Sequence, residues 1–183
     1  MICWSCKEPV GAAVCVGCTS LQPPPVQPDL YEILGIERRW HLDRKVLDKA
    51  WRAKSRMVHP DRFAGKAAVM RRMALQWTAA LNDARLVLRD PESRGWYLAT
   101  GERGFPERGG PQPEQDFLMQ MFELRMAHAE GEDVSPQTDA LLASTMDTLE
   151  RIFTAWEQGE GSLDEAPKHL VRLRYLNQFR LTA

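Results

Sequence analysis

The sequence predicts an all-α protein, with helical segments in two blocks behind a short cysteine-rich head. Three observations predict it. From Asp29 onward, apolar residues recur three and four positions apart, the spacing that lays one stripe along a helix. Capping residues open these stripes, and glycine or proline closes them. All four cysteines fall within the first 18 residues of the 183-residue chain, so they do not staple the helical part.

The head comes first. Cys3, Cys6, Cys15 and Cys18 form a C-x2-C-x8-C-x2-C array. Four thiolates at that spacing can close a tetrahedron around Zn²⁺, each C-x-x-C turn presenting two sulfurs on one side of a tight knuckle. So short a segment has no core of its own, which makes metal binding its folding energy, on the order of 10 kcal/mol or more. A thiol redox pair or an iron–sulfur centre are the alternatives. Redox chemistry lacks the βαβ surroundings that usually accompany it. The run Gln22 to Pro28, with Pro23, Pro24, Pro25 and Pro28, is expected to be an extended spacer isolating the head.

The first helical block is expected over residues 29–100. Asp29 with Glu32 signs a capping box for a short helix ended by Gly35. Asp43 caps a second helix to about Val58, with Val46, Leu47, Ala50, Trp51 and Val58 at helical spacing and Arg44, Lys45, Lys49, Arg52, Lys54 and Arg56 on its other face. Pro60 ends it, because the residue before a proline is pushed out of the α region. A third helix, from about Lys66 to Leu88, carries Met70, Met73, Trp77, Leu81, Ala84 and Leu88 on one stripe, matched to an antiparallel packing on the second. A short helix follows from Pro91 to Leu98.

Residues 101–112 form a glycine- and proline-rich linker, and residues 113–183 an antiparallel three-helix bundle. Its first helix runs from Pro113 to about Ala129. Ser135 caps the second, with Pro136 at its opening position and Gly159 and Gly161 beyond its end at Glu157. Ser162 with Glu165 can cap the third, although Pro167 moves its start toward Ala166. No internal repeat and no phosphate-binding glycine loop is visible.

Composition narrows the function. Residues 29–112 carry 17 Lys/Arg against 11 Asp/Glu, and residues 113–183 carry 6 against 13, a split that points to two faces with different partners. Nucleic acid wants a larger excess, and the head has a single cation, Lys7, so a zinc-dependent nucleic-acid binder is disfavoured. No apolar run approaches the roughly 20 residues of a membrane helix. The first residues show no targeting pattern and the cysteines are paired at metal-ligand spacing, so a reducing cytoplasm is expected. His41, His128 and His169 stand alone without ligand spacing, so catalysis is not expected of them.

His59-Pro60-Asp61, followed by Arg62 and Phe63, is the most informative tripeptide. By itself it is an ordinary turn. Next to a basic helix face, a rigid polar corner can steer an acidic partner instead. Here the chain resembles the J-domain family, through Leu30-Tyr31-Glu32-Ile33-Leu34-Gly35, the basic helix, the His59-Pro60-Asp61 corner, Asn82-Asp83-Ala84 and Asp90-Pro91 through Arg94 to Tyr97. More narrowly it is similar to the HscB family of J-type co-chaperones of iron–sulfur cluster assembly. Arg94-Gly95-Trp96-Tyr97-Leu98, Phe117-Leu118-Met119 through Glu123-Leu124-Arg125, and Val171-Arg172-Leu173-Arg174-Tyr175-Leu176 carry that likeness, and some members share an N-terminal double C-x-x-C segment.

The resemblance implies a co-chaperone, not an enzyme. His59, Pro60 and Asp61, with Lys49, Arg52 and Arg56, would dock on an ATP-bound DnaK-type chaperone (HscA-like) and stimulate its ATPase. Leu118, Met119, Phe122 and Glu123, with Arg174 and Tyr175 alongside, would hold the scaffold IscU as client, although Met126 stands where the family commonly has an acidic residue. Zinc would be structural. Residue chemistry agrees, because the helix 113–129 is apolar on too many sides. Phe117, Met121 and Leu124 make one stripe and Leu118, Met119, Phe122 and Met126 another about 100° round, when a bundle core needs only one. The second stripe either buries against a neighbouring element or receives a partner. Two rival readings are a J-domain co-chaperone for a different client and a C-x-x-C oxidoreductase with a reactive thiol.

Overall fold

The structure, a computed structural model, describes residues 1–107 and 110–182; of the expected linker, Arg108 and Gly109 lie outside the described residues, as does Ala183. The chain divides into two compact units, Met1–Arg89 and Asp90–Ala183. Among the described residues regular structure is all helical, apart from two isolated β-bridges in the head, as the periodicity predicts. No helix among them is long and apolar enough to cross a membrane.

In the first unit, α1 (Leu30–Leu34) starts where the Asp29 carboxylate accepts from the amides of Tyr31 and Glu32, and stops at Gly35 in the left-handed region, φ 70°. Helix α2 (Arg44–Val58) is capped by Asp43, which accepts from the Lys45 amide. His59 follows with ψ 134°, the extended conformation that Pro60 imposes, and a 3-10 turn (Pro60–Phe63) leads to α3 (Ala68–Arg89). The third helix begins two residues later than expected: the Lys66 N–H closes the preceding turn on the Phe63 carbonyl, and the first helical bond runs from the Arg71 N–H to the Ala67 carbonyl.

Helices α2 and α3 pack as an antiparallel hairpin. Leu47 and Val58 face Ala74, Trp77, Leu81, Ala84 and Leu88 in a buried seam. At its edge, Asp48 accepts from Arg85 Nε at 2.8 Å, Trp51 Nε1 donates to Asn82 Oδ1 at 3.0 Å, and the Arg85 guanidinium stacks 4.4 Å over the Trp51 ring. The Arg85 hydrogen bond holds the Asp48 carboxyl below the usual carboxylate range. Val46, expected on the buried stripe, is half exposed: the seam follows Leu47, Trp51 and Val58, which leaves Val46 turned about 100° away.

The second unit contains α4 (Pro91–Thr100), α5 (Gln115–Ala129), α6 (Ser135–Glu157) and α7 (Ala166–Thr182). Helix α7 packs on both α4 and α6, so α4, grouped above with the helices before it, falls in the second unit. Phe117, Met121 and Leu124 of α5 join Val134, Leu176 and Phe179 in one core cluster, and Leu149 and Phe153 of α6 are fully buried. Two caps differ from expectation. The Asp133 carboxylate accepts from the Ser135 amide, leaving Ser135 inside α6 rather than before it. Glu165 pairs with Lys168 at 2.9 Å instead of closing a box with Ser162, and α7 begins at Ala166 with Pro167 in its first turn.

Glu92 of α4 is a partly buried charge in this unit. Asn177 Nδ2 donates to it at 3.1 Å and Arg174 lies 4.0 Å away. Burial pushes its carboxyl above the ordinary glutamate range, aided by Asp90 and opposed by the Asn177 hydrogen bond and Arg174. A pKa raised by folding means that the folded state holds the proton more tightly. The stability this gives is complete below the ordinary value of about 4.3 and is lost as pH rises through the elevated one. Glu92→Gln keeps an oxygen for Asn177 and removes the titration. The stability of the variant relative to wild type, from urea midpoints, is expected to climb with pH across that window and then level off; a difference flat in pH would contradict this origin.

Candidate functional site

Three surfaces carry chemistry. In the head, each C-x-x-C turn is closed by the same two backbone bonds. The Lys7 amide donates to the Cys3 carbonyl at 3.1 Å and the Cys3 amide to the Glu8 carbonyl at 2.9 Å; Thr19 to Cys15 at 2.9 Å and Cys15 to Ser20 at 3.0 Å repeat them. The bridges Ile2 to Pro9 and Val14 to Leu21 repeat too. The head is therefore a structural repeat offset by 12 residues, of which the sequence shows only the shared cysteines. Lys7 and Thr19 follow the second cysteine of each turn with φ of 67° and 58°, a left-handed conformation costing about 1–2 kcal/mol for a side-chain-bearing residue.

The four sulfurs lie within 4.8 Å of one another. Cys3 and Cys18 Sγ are 3.6 Å apart and Cys6 and Cys15 Sγ 3.7 Å, too far for disulfides. A Zn–S bond of about 2.3 Å sets tetrahedral corners about 3.8 Å apart, so the cluster has the dimensions of one four-coordinate ion. The thiols are unequal. The Ser20 hydroxyl, then its amide, hold Cys18 down to about 6, and the Cys6 amide leads the lowering of Cys3. The Glu8 amide also pulls Cys6 down, but Cys18, burial, Cys3 and Cys15 together push it up to about 12. A dication at the centre favours the thiolate of all four.

The second surface is the corner after α2. His59 and Asp61 are exposed, Asp61 with 90% of its side chain accessible. The Asp61 amide donates to His59 Nδ1 at 3.3 Å, and the same nitrogen lies 3.4 Å from Asp61 Oδ2. Rigidity comes from below. Phe63 is buried, the Arg62 amide donates to the His59 carbonyl at 3.0 Å, and Arg71 donates to the Lys66 carbonyl at 3.1 Å. Lys49, Arg52 and Arg56 are exposed along α2, leading up to this corner.

The third is the outer face of α5. Leu118, Met119, Phe122 and Met126 are exposed together, Phe122 by 65%, while Phe117, Met121 and Leu124 enter the core. Glu123 lines an open groove of about 440 Å³ between α5 and α6, with Leu124, Ala127, Val134 and Leu141. Tyr175 supports α5 from beneath, its ring edge-on to Phe117 at 6.4 Å. Arg174 is not brought to that face: its guanidinium stacks 4.6 Å from Phe105, whose ring in turn stacks on Trp96 at 4.3 Å.

Sequence reasoning missed Gln22. It is buried, and its amide Nε2 donates to Cys3 Sγ at 3.3 Å. Its carbonyl accepts from Trp77 Nε1 of α3 at 2.7 Å, so the spacer does not isolate the head as expected but begins by tying it to α3. Ser20, the other donor to a sulfur, was missed as well; both follow a C-x-x-C closely, the one signal that could have found them.

Comparison with known proteins places the chain in a family. Residues 113–182 match the model described as the HSCB C-terminal oligomerisation domain. The "Co-chaperone protein HscB homolog" of Burkholderia multivorans is 35% identical over 153 residues, covering 78% of this chain and 83% of that protein. The human "Iron-sulfur cluster co-chaperone protein HscB" is 27% identical over 184 residues, 96% of this chain and 77% of that one. A crystal structure of human HscB superposes with a TM-score of 0.82 at 25% identity, covering 100% of this chain and 96% of the other. With an all-helical fold, a clustered cysteine head and relatives matched over most of their length, the chain belongs to the HscB family of co-chaperones.

Proposed function

We propose that this chain is a co-chaperone of iron–sulfur cluster assembly that stimulates the ATPase of a DnaK-type (HscA-like) chaperone and delivers to it the scaffold protein IscU. It acts on another protein's hydrolysis and catalyses nothing itself. The single observation that carries the reading is the Asp61 carboxylate, held out at 90% side-chain exposure on a corner anchored by buried Phe63. His59 and Pro60 shape that corner, and Lys49, Arg52 and Arg56 supply a cationic approach to an acidic partner surface.

The client seats on Leu118, Met119 and Phe122, where exposed methionine and phenylalanine offer an adaptable apolar surface, with Glu123 at its side. Tyr175 completes the proposed set from α7 by supporting α5 through Phe117, whereas Arg174, the other α7 residue of the expected set, is held away from it by its stack on Phe105. Cys3, Cys6, Cys15 and Cys18 hold a structural Zn²⁺, supported by sulfur separations close to those of a tetrahedral site. Unpaired thiols suit a reducing compartment, for which the cytoplasm is the simplest choice.

Three measurements test this. His59→Gln is expected to reduce chaperone ATP turnover to its unstimulated rate with stability changed by no more than about 0.5 kcal/mol, since the residue is exposed; normal stimulation by the variant would sink the J-domain reading. Changing Leu118, Met119 and Phe122 together to alanine is expected to weaken binding to IscU by at least about 2 kcal/mol, roughly thirtyfold. Binding indifferent to the triple change favours a different client. Elemental analysis of the purified chain is expected to give one Zn²⁺ per molecule, lost in Cys18→Ser with the helical circular dichroism retained; reactive thiols and no metal would favour the oxidoreductase.

A further inference from the structure

The two knuckles of the head superimpose at an offset of 12 residues, which pairs Val10 with Gln22. Both donate their backbone N–H across the turn in the same way, Val10 to the Met1 carbonyl at 2.9 Å and Gln22 to the Ala13 carbonyl at 2.7 Å. Valine thus satisfies the knuckle backbone at this position. Glutamine at the paired position needs another reason, because it is only 1% exposed, and burying an amide costs about 1–3 kcal/mol unless its polar atoms find partners.

Each end of the amide finds one. Nε2 donates to Cys3 Sγ at 3.3 Å and to the Ser20 carbonyl at 2.9 Å, while Oε1 accepts from the Trp4 amide at 3.2 Å. The Trp4 N–H decides which end is oxygen, so the NH2 group faces the sulfur. The main-chain carbonyl of the same residue takes the indole N–H of buried Trp77 at 2.7 Å. One side chain therefore spans both knuckles, and one residue joins a cysteine sulfur to α3, the helix on which basic α2 packs.

We propose that Gln22 is a positioning residue of the metal centre that clamps the Cys3 sulfur from outside both C-x-x-C turns and couples metal occupancy to α3 through Trp77. The inference rests on the metal reading given above. Four thiolates around one dication leave an excess of negative charge on sulfur, and an N–H aimed at a sulfur stabilises it and fixes its direction. When the metal leaves, Cys3 Sγ is no longer fixed at a corner of the tetrahedron, so the acceptor that Gln22 Nε2 meets at 3.3 Å is no longer held in place. Gln22 then loses a partner that holds it in place, and the carbonyl that anchors Trp77 loosens with it.

The test uses the zinc-loaded full-length chain and its Q22V, Q22E and W77F variants. Zinc affinity is read by competition with a chromophoric chelator, and the Trp77 indole proton, assigned by its loss in W77F, is followed by hydrogen-exchange NMR before and after chelation. Q22V copies the residue of the other knuckle, so it should keep the zinc stoichiometry and helical circular dichroism of wild type while binding zinc about tenfold more weakly. Q22E should be weaker still, since it sets a carboxylate against a thiolate, whereas a residue that merely packs would tolerate so isosteric a change. W77F, which alters no ligand and leaves the Gln22 side chain in place, should also lower zinc affinity, and chelation of wild type should speed exchange of the Trp77 indole proton. Equal affinity in Q22V and Q22E, unchanged affinity in W77F, or identical Trp77 exchange with and without metal would each overturn the coupling. A wild-type chain that takes up no zinc would overturn the metal reading itself and this inference with it, an outcome told apart by the wild-type stoichiometry alone.

Discussion

Everything at the exposed corner depends on one backbone restriction, the clash between a proline ring and the residue before it. Pro60 drives His59 out of the α region, to ψ 134°, and that single change ends α2. The chain then re-enters a 3-10 turn with proline in its opening position, where its missing N–H leaves no bond unmade. Phe63 drops into the core three residues later, so Asp61 is pinned from both sides and left facing solvent. An aspartate on a mobile loop would lose conformational freedom when bound, and a preformed corner avoids most of that cost.

The corner sits at the end of a braced hairpin. Hydrophobic burial along Leu47 and Val58 holds α2 to α3, but it does not by itself fix rotation about the helix axis. The Asp48–Arg85 pair, the Trp51–Asn82 hydrogen bond and the Arg85 stack on Trp51 do so at the seam's edge. Because the pair is partly shielded, it is worth more than a fully exposed one, though well short of a core contact. Rotation fixed there decides which way Lys49, Arg52 and Arg56 point.

Much of this was legible in the sequence, for reasons that are local. Asp29 and Asp43 announce helix starts because capping involves residues two or three apart, and Gly35 announces an end because glycine tolerates a left-handed turn cheaply. The cysteine spacing is legible for the same reason. What failed was either ambiguous locally or set at a distance. Asp133 and Ser135 are both good capping residues two apart, and only the structure tells that Val134 stands at the cap position with Asp133 before it accepting from the Ser135 amide. Val46 and Leu47 are both apolar neighbours, and the seam admits one. Gln22 bonds to Trp77 across 55 positions, and nothing in a proline-rich run suggests that its first residue is buried. Of the 12-residue repeat of the head the letters carry only the cysteines, and the rest lies in its backbone bonds.

The second unit raises the opposite question, why an apolar face should stay uncovered. Phe117, Met121 and Leu124 already give α5 a core-facing stripe that meets Leu176 and Phe179, so the fold asks nothing of Leu118, Met119, Phe122 and Met126. Four exposed large apolar residues on one helix face add no stability through burial within the unit and raise the risk of association. Tyr175 edge-on to Phe117 and Arg172 stacked 4.8 Å over the same ring hold α5 in place from behind. The helix is braced on its inner side, so its outer side can remain apolar without collapsing inward, and the patch persists as a ready-made surface.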